Sequence, residues 1–85
     1  PYMYSSDNVR AVFRVAKAMV SDVIDLFGTE VTFSDEDDAG VTVTAFTNEM
    51  AMEQFALNFA PDVTVLEPQH LREKVKNALK KALEE

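Results

Sequence analysis

Apolar residues follow a strand-like spacing in some segments of this chain and a helical spacing in others, and the order of these segments limits the possible folds. Apolar and polar residues alternate, as on a strand with one buried face, over residues 8–16, 30–34, 41–47 and 63–66. Apolar residues instead recur at helical spacing over residues 17–27, from residue 47 or 48 to about residue 58, and again after Pro68. The sequence therefore predicts strand, helix, strand, strand, helix, strand and a final helix.

This order is that of the split βαβ, or ferredoxin-like, arrangement. It predicts an α+β fold, namely a two-layer βαββαβ sandwich with an additional C-terminal helix. Both internal helices are expected on one face of a four-stranded antiparallel sheet. The last helix must either cross a sheet edge or dock on another domain.

The length of 85 residues corresponds to one domain. We expect residues 8–85 to form it, and residues 1–7 (PYMYSSD), which show no period, to be a linker or lead-in. Because the first residue is Pro1 and not methionine, the chain either was processed or is a piece of a longer protein, and we favour the piece.

The charge is unevenly distributed along the chain. Residues 1–67 hold three basic and twelve acidic side chains, whereas residues 68–85 hold five basic and three acidic ones. Because an acidic body repels phosphate, direct DNA binding by this chain is not expected. The chain has no cysteine and no apolar run of about 20 residues, so the sequence predicts neither a disulfide nor a membrane contact, and a cytoplasmic location.

No pattern in the sequence predicts catalysis, a metal site or a cofactor. Asp35, Asp37 and Gly40 match three positions of an EF-hand loop, but the loop lacks its glutamate and is flanked by strands, so a solvated hairpin is the better interpretation. The single histidine, His70, has no cysteine partner and lies in the first turn of a helix. With two glycines in the chain, there is no glycine-rich phosphate loop.

The sheet face opposite the predicted core is the candidate binding surface. Arg10 and Arg14 on the first strand, with Thr42 and Thr44 beside them, present the chemistry to contact a carboxylate or phosphate of an effector or partner. The alternative is a solvated face whose arginines pair with nearby acids. Apolar residues on the same face favour a protein contact over part of it; they are Val12, Phe46 and Leu66.

The last helix has one apolar stripe, formed by Leu71, Val75 and Leu79. This stripe predicts a docking helix, because it needs a surface to cover it. Amphipathicity alone leaves open whether that surface is in this chain or in a partner.

Residues 55–83 (FALNFAPDVTVLEPQHLREKVKNALKKAL) carry a more specific pattern. The run VTVLEPQHLR, followed by Val75 and Leu79, resembles the C-terminal extension (WCX) domain of WYL-domain transcriptional regulators, which are winged helix-turn-helix proteins. The order of strands and helices before it is similar as well. Two positions depart from the family pattern: Phe55 stands where a tryptophan is usual, and Ala60 follows Phe59 where glycine is frequent.

The resemblance implies a non-catalytic regulatory and dimerisation module of a bacterial regulator. Such a module relays effector binding to a DNA-binding domain that lies outside this chain. The implied partners are a second copy, in a homodimer, and the sister WYL and winged helix-turn-helix domains. An alternative is a stand-alone ferredoxin-like domain that binds a small molecule. An acylphosphatase-like enzyme would need a phosphate-binding loop after the first strand, which residues 16–18 do not supply.

Overall fold

The structure is a computed structural model, and it describes residues 8–28 and 30–84. The expected lead-in, residues 1–7, lies outside the described residues. Four strands and three helices follow one another in the predicted order: β1 Asn8–Val15, α1 Val20–Phe27, β2 Thr32–Ser34, β3 Val41–Asn48, α2 Glu49–Asn58, β4 Val63–Glu67 and α3 Gln69–Leu83. The predicted α+β class is confirmed.

Local signals mark the ends of the helices. A 3-10 turn, Lys17–Met19, precedes α1, so the α-helix starts three residues later than the apolar period suggests. Gly28, at φ 85°, ends α1 in a conformation that disfavours other residues. The Asn48 side chain caps α2 by accepting the Ala51 N–H at 3.0 Å. Pro68 lies immediately before α3 and not within its first turn.

The strands form one antiparallel sheet in the order β2-β3-β1-β4. β1 pairs with β3 along its whole length, from Asn8 opposite Asn48 to Val15 opposite Val41. β2 is shorter than predicted, because only Thr32–Ser34 pair with β3. β4 pairs with the second half of β1, and an irregularity there leaves Leu66 without a residue opposite it.

The hydrophobic core lies between one sheet face and the helices. The ring of Phe13 on β1 packs at 5.7 Å from that of Phe27 on α1 and at 6.1 Å from that of Phe55 on α2, so α1 and α2 cover the same face. α3 packs along β4 and beside α2. Its buried residues Leu71 and Val75 belong to the same core.

The alternation over residues 30–34 and the helical periods of the first two predicted helices place Phe33, Ile24 and Phe59 on the buried side, but all three are less covered than these patterns predict. Phe33 is 38% exposed, and Ile24 and Phe59 are also more than a third exposed. Phe33 lies on β2, an edge strand, so neighbours cover it from one side only. No helix in residues 8–28 and 30–84 is long and apolar enough to cross a lipid bilayer.

Candidate functional site

The sheet face that α1 and α2 leave open carries the predicted effector residues. Across the β1–β3 pair, Arg10 lies opposite Phe46 and Arg14 lies opposite Thr42. Directly paired residues point to the same face of an antiparallel sheet. The structure therefore brings Arg14 and Thr42 into contact at one end of the face, and Arg10 and Phe46 at the other.

Arg14 is held by the loop between β2 and β3. Its Nη1 donates to the backbone oxygen of Asp35 at 2.8 Å and to Thr42 Oγ1 at 3.1 Å. Its Nη2 donates to Asp37 Oδ1 at 2.7 Å. Acceptors from this chain thus occupy three of the five N–H donors of the guanidinium, which leaves two for an external anion.

Asp37 organises the same loop from the other side. Its Oδ1 also accepts the backbone N–H groups of Ala39 at 2.9 Å and Gly40 at 3.0 Å. These two N–H groups, together with the nearby Arg14 guanidinium, lower the pKa of the Asp37 carboxyl from its usual value. The sequence predicted a solvated hairpin here, and the structure shows one whose shape is fixed by hydrogen bonds to Asp37.

No metal site is visible around this loop. Among the described residues, no three side chains of His, Cys, Asp or Glu lie close enough together to share a metal ion. The carboxylate of Asp37, one of the three EF-hand-like positions, is already bonded to Arg14 and to two backbone N–H groups.

The two threonines differ in their surroundings. Thr42 is buried, and its hydroxyl accepts the Arg14 hydrogen bond. Thr44 is half-buried and lies opposite Val12 on β1 and Thr32 on β2. Neither threonine lies directly opposite Arg10, since Phe46 occupies the paired position, and Thr44 is its diagonal neighbour. The four predicted effector residues therefore extend along the face, with Arg14 and Thr42 at one end and Arg10 at the other.

Arg10 is much less constrained than Arg14. Its Nη1 lies 3.9 Å from Glu67 Oε1, and both side chains are about two-thirds exposed. An exposed pair at this distance contributes little to stability. Arg10 therefore remains able to exchange Glu67 for another anion.

An exposed apolar patch surrounds Arg10. Phe46 is 73% exposed and Leu66 is 38% exposed, and Val12 on the same face is half-buried. We call Arg10, Val12 and Phe46 the Phe46 patch. It lies at the end of the sheet away from the acidic β2–β3 loop, because that loop joins β3 next to Val41. Leu66 lies on the other side of β1 from Phe46 and lines a pocket with Arg14 and with Ala39 of that loop.

The predicted docking helix is covered from within the chain. Leu71 and Val75 are buried in the domain's own core, and Leu79 is half-buried against it. The stripe therefore packs in cis, against β4 and α2. It does not offer a free apolar surface to a partner.

Glu49, which the sequence did not single out, joins α3 to α2. Its carboxylate lies 2.9 Å from His70 Nε2 and 3.2 Å from Lys74 Nζ. The hydrogen bond from His70, assisted by Lys74, lowers the pKa of Glu49. The sequence shows that His70 and Lys74 lie one helical turn apart and so share one face of α3, but it carries no local signal for their partner on α2. His70 has a structural contact here.

Comparison with known proteins identifies the family. No curated protein matches the chain. The family model for the WCX domain matches residues 7–83, which include all four strands and three helices. The matched part contains the VTVLEPQHLR run and both ends of the open sheet face. The chain belongs to the WCX domain family, the C-terminal extension of WYL-type regulators.

Proposed function

We propose that this chain is the C-terminal regulatory and dimerisation module of a bacterial WYL-type transcriptional regulator. The observation that carries the proposal is the WCX match over residues 7–83. In such a protein residues 8–85 form one non-catalytic domain, preceded by sister WYL and winged helix-turn-helix domains. The winged helix binds DNA in the cytoplasm, and this domain does not.

The mechanism we propose is a shift in the geometry of a homodimer. An effector that binds between this domain and its neighbour stabilises one arrangement of the two copies, and that arrangement repositions the distant DNA-binding domains. Arg10 is the better candidate for effector contact. Its pair with Glu67 is long and exposed, whereas Arg14 is already bound to three acceptors.

The Phe46 patch is the surface that we assign to the second copy. The α3 stripe is already buried, so the exposed ring of Phe46 is the better apolar surface for a partner. Charge supports the same choice. The chain has a net charge of -7, so two copies repel each other over most orientations. At the patch, Arg10 and Glu67 balance one another.

We also propose the ferredoxin-like arrangement for the fold. Its support is the strand order, in which β1 and β3 are central, β2 and β4 are the edges, and all neighbours are antiparallel. In this split βαβ arrangement β3 separates β1 from β2.

The full-length protein tests this function. Sedimentation should give a dimer for the wild type and a monomer for Phe46→Glu, which places a carboxylate in the interface. Met50→Glu is the matched control, because Met50 is a similarly exposed apolar residue on α2, outside the patch. It should remain dimeric. DNA binding should weaken at least about tenfold in Phe46→Glu alone, as expected when a coupling of about 1.4 kcal/mol is lost.

Two results would contradict the proposal. If both this chain and the full-length protein were strict monomers, the proposed dimerisation would be contradicted. If the upstream coding sequence encoded no winged helix and no WYL domain, the proposed regulator function would be contradicted, and the stand-alone ligand-binding domain would be favoured.

A further inference from the structure

A cavity of about 330 Å³ opens on the sheet face that α1 and α2 leave free. It lies where the end of β1 meets the start of β4, beside Ala39 of the β2–β3 loop. Its lining includes three polar side chains, Arg14, Asp62 and Thr64, and the apolar side chain of Leu66. Small-molecule pockets usually have volumes of about 300–1,000 Å³, so this cavity suits a small ligand.

Arg14 has two N–H groups left for a ligand in this cavity. Its three acceptors belong to β3 or to the loop before it, namely Thr42, Asp35 and Asp37, whereas the cavity lies towards Thr64, opposite Arg14 on β4. Nη1 donates twice and Nη2 donates once, so in the described residues Nε–H and the second N–H of Nη2 have no acceptor. Because these donors are on adjacent nitrogens, they can bind both oxygens of one carboxylate.

Asp62 supplies the opposite charge from a fixed position. The Ala16 N–H donates to its backbone oxygen at 3.0 Å, and its own N–H donates to the backbone oxygen of Phe59 at 2.8 Å. Asp62 is exposed, and among residues 8–28 and 30–84 no hydrogen bond or salt bridge uses its carboxylate. The carboxylate is therefore available to a cationic group of a ligand.

Strand pairing sets the separation of these two charges. Arg14 lies opposite Thr64, and Asp62 lies two residues before Thr64, so Arg14 and Asp62 are diagonal neighbours across β1 and β4. Diagonal neighbours on one sheet face lie about 7–8 Å apart. In the part of the chain that the structure describes, Arg14 forms its salt bridge with Asp37 and none with Asp62. The space between Arg14 and Asp62 is therefore open to one small molecule that carries both charges.

The charges around the cavity favour a zwitterion. A simple anion would meet two carboxylates, because Asp37 already pairs with Arg14 and Asp62 lines the cavity. A simple cation would leave the two remaining donors of Arg14 without an acceptor. Leu66 is 38% exposed and has no residue opposite it on β1, so it offers an apolar contact to the rest of the ligand.

We propose that this cavity binds an α-amino acid with an aliphatic side chain. The carboxylate of the ligand accepts the two remaining N–H groups of Arg14, the ammonium group donates to Asp62, and the aliphatic side chain packs on Leu66. Because three hydrogen bonds already hold the Arg14 guanidinium, less side-chain freedom is lost on binding. The cavity is separate from the Phe46 patch, and the proposal does not depend on the regulator function or on dimerisation.

L-leucine is the probe, titrated into the isotope-labelled chain. It should shift the amide resonances of the cavity residues, numbers 14–16, 39, 62, 64 and 66, with a dissociation constant below about 1 mM. Three analogues each lack one recognised group: isocaproate lacks the ammonium group, isoamylamine lacks the carboxylate, and glycine lacks the aliphatic side chain. Each should bind at least about fivefold more weakly than L-leucine, a loss of about 1 kcal/mol.

Asp62→Asn separates recognition of the ammonium group from the general charge of the chain. This variant should bind L-leucine at least about fivefold more weakly, but it should bind isocaproate more tightly, because a carboxylate no longer repels that anion. Asp38→Asn is the matched control, since it removes an equal charge from the neighbouring loop and Asp38 does not line the cavity. It should change the affinity for L-leucine by less than about twofold, because exposed charges are screened in salt. Thermal melts establish that both variants are folded.

Four results of the titrations would overturn the proposal. These are absence of amide shifts at several millimolar L-leucine, shifts only outside the cavity, equal binding of L-leucine and any one of the three analogues, and equal loss of affinity in Asp62→Asn and Asp38→Asn. Concentration-dependent shifts of the cavity residues without any ligand would also overturn it, because they would assign the cavity to a second copy of the chain.

Discussion

Arg14 on the central strand and Asp37 in the β2–β3 loop are joined by a 2.7 Å hydrogen bond from Nη2 to Oδ1. Arg14 also donates to the backbone oxygen of Asp35, and Asp37 accepts two backbone N–H groups within the loop. Asp35 itself has a positive φ of 52°. A loop of four acidic residues, which would otherwise repel one another, is thereby held in one shape.

Replacing Asp37 with asparagine should reduce stability in a pH-dependent way. The pKa of Asp37 is lowered by the N–H groups of Gly40 and Ala39 and by Arg14, so the unfolded chain binds a proton more readily. The stabilisation is complete above the ordinary pKa of 3.8 and is lost as pH falls through the lower folded value. The melting temperature of Asp37→Asn should fall below that of the wild type at pH 7, and the gap should close in strong acid.

Asp38→Asn is the control for this measurement. It removes an equal charge from the same loop, but no hydrogen bond or salt bridge of Asp38 occurs among the described residues. Equal melting-temperature profiles for the two variants would show that the Arg14–Asp37 contact does not stabilise the loop.

Gly40→Ala should destabilise the fold strongly. A Cβ at Gly40 would overlap the backbone oxygen of Val15. Val15 is the last residue of β1, so this oxygen cannot move without shifting a central strand of the sheet. We expect a loss of about 2 kcal/mol in the free energy of unfolding, typical of overpacking. Gly28→Ala meets open space, but Gly28 has φ 85° and ψ -172°, a conformation that is essentially restricted to glycine, so backbone strain should cost about 1–3 kcal/mol. Urea denaturation measures both, and unchanged stability of Gly40→Ala would contradict the close packing at Gly40.

Leu71→Ala should lower the free energy of unfolding by about 3 kcal/mol, because Leu71 is fully buried on the core-facing side of α3. Leu83→Ala is the same substitution on the same helix at a residue that is 87% exposed, and it should change stability by less than about 0.5 kcal/mol. Urea denaturation of this chain alone, without any partner, compares the stabilities of the two variants. If α3 were stable only on a partner, the two variants would be equally stable.

Glu49→Gln should remove the ionic contacts of Glu49 on α2 with His70 and Lys74 on α3. We expect a loss of about 0.5 kcal/mol at pH 7, typical of partly exposed ion pairs. Because the folded pKa of Glu49 is lowered from 4.5, its contribution is complete above that value and disappears as pH falls through the folded pKa. The stability difference from the wild type should therefore vanish in acid.

Glu53→Gln is the matched control for this position. Its carboxylate reaches only Lys74, at 3.9 Å, and the substitution should cost less. A difference between Glu49→Gln and the wild type that persists unchanged below pH 3 would contradict the ionic origin of the effect.

The elements of the fold were predictable because they depend on local patterns. The alternation in residues 8–16 and the polar break at residues 35–40 each correspond to an observed boundary, and of the two residues at which the second helix was expected to begin, Asn48 is its cap. The length of β2 was not predictable to the residue, because it depends on how much of that segment meets β3.

The sequence predicted which residues lie on the candidate surface, but it did not predict which contacts those residues make. Both arginines lie on β1, but only the structure separates Arg14, bound within the loop, from Arg10, which has one long and exposed pair. The partners of Arg14 are 21 to 28 positions away along the chain, and no local pattern connects them.

The sequence by itself determined the order of strands and helices and the family, because side-chain periods and short motifs are local properties of the chain. Tertiary structure alone decided which surfaces are covered. It buried Leu71 and Val75 within the same domain, and it left Phe46 exposed. The apolar stripe of an amphipathic helix needs only some apolar surface to cover it, and the free energy of that burial is non-directional. Packing of the whole chain therefore selects the surface.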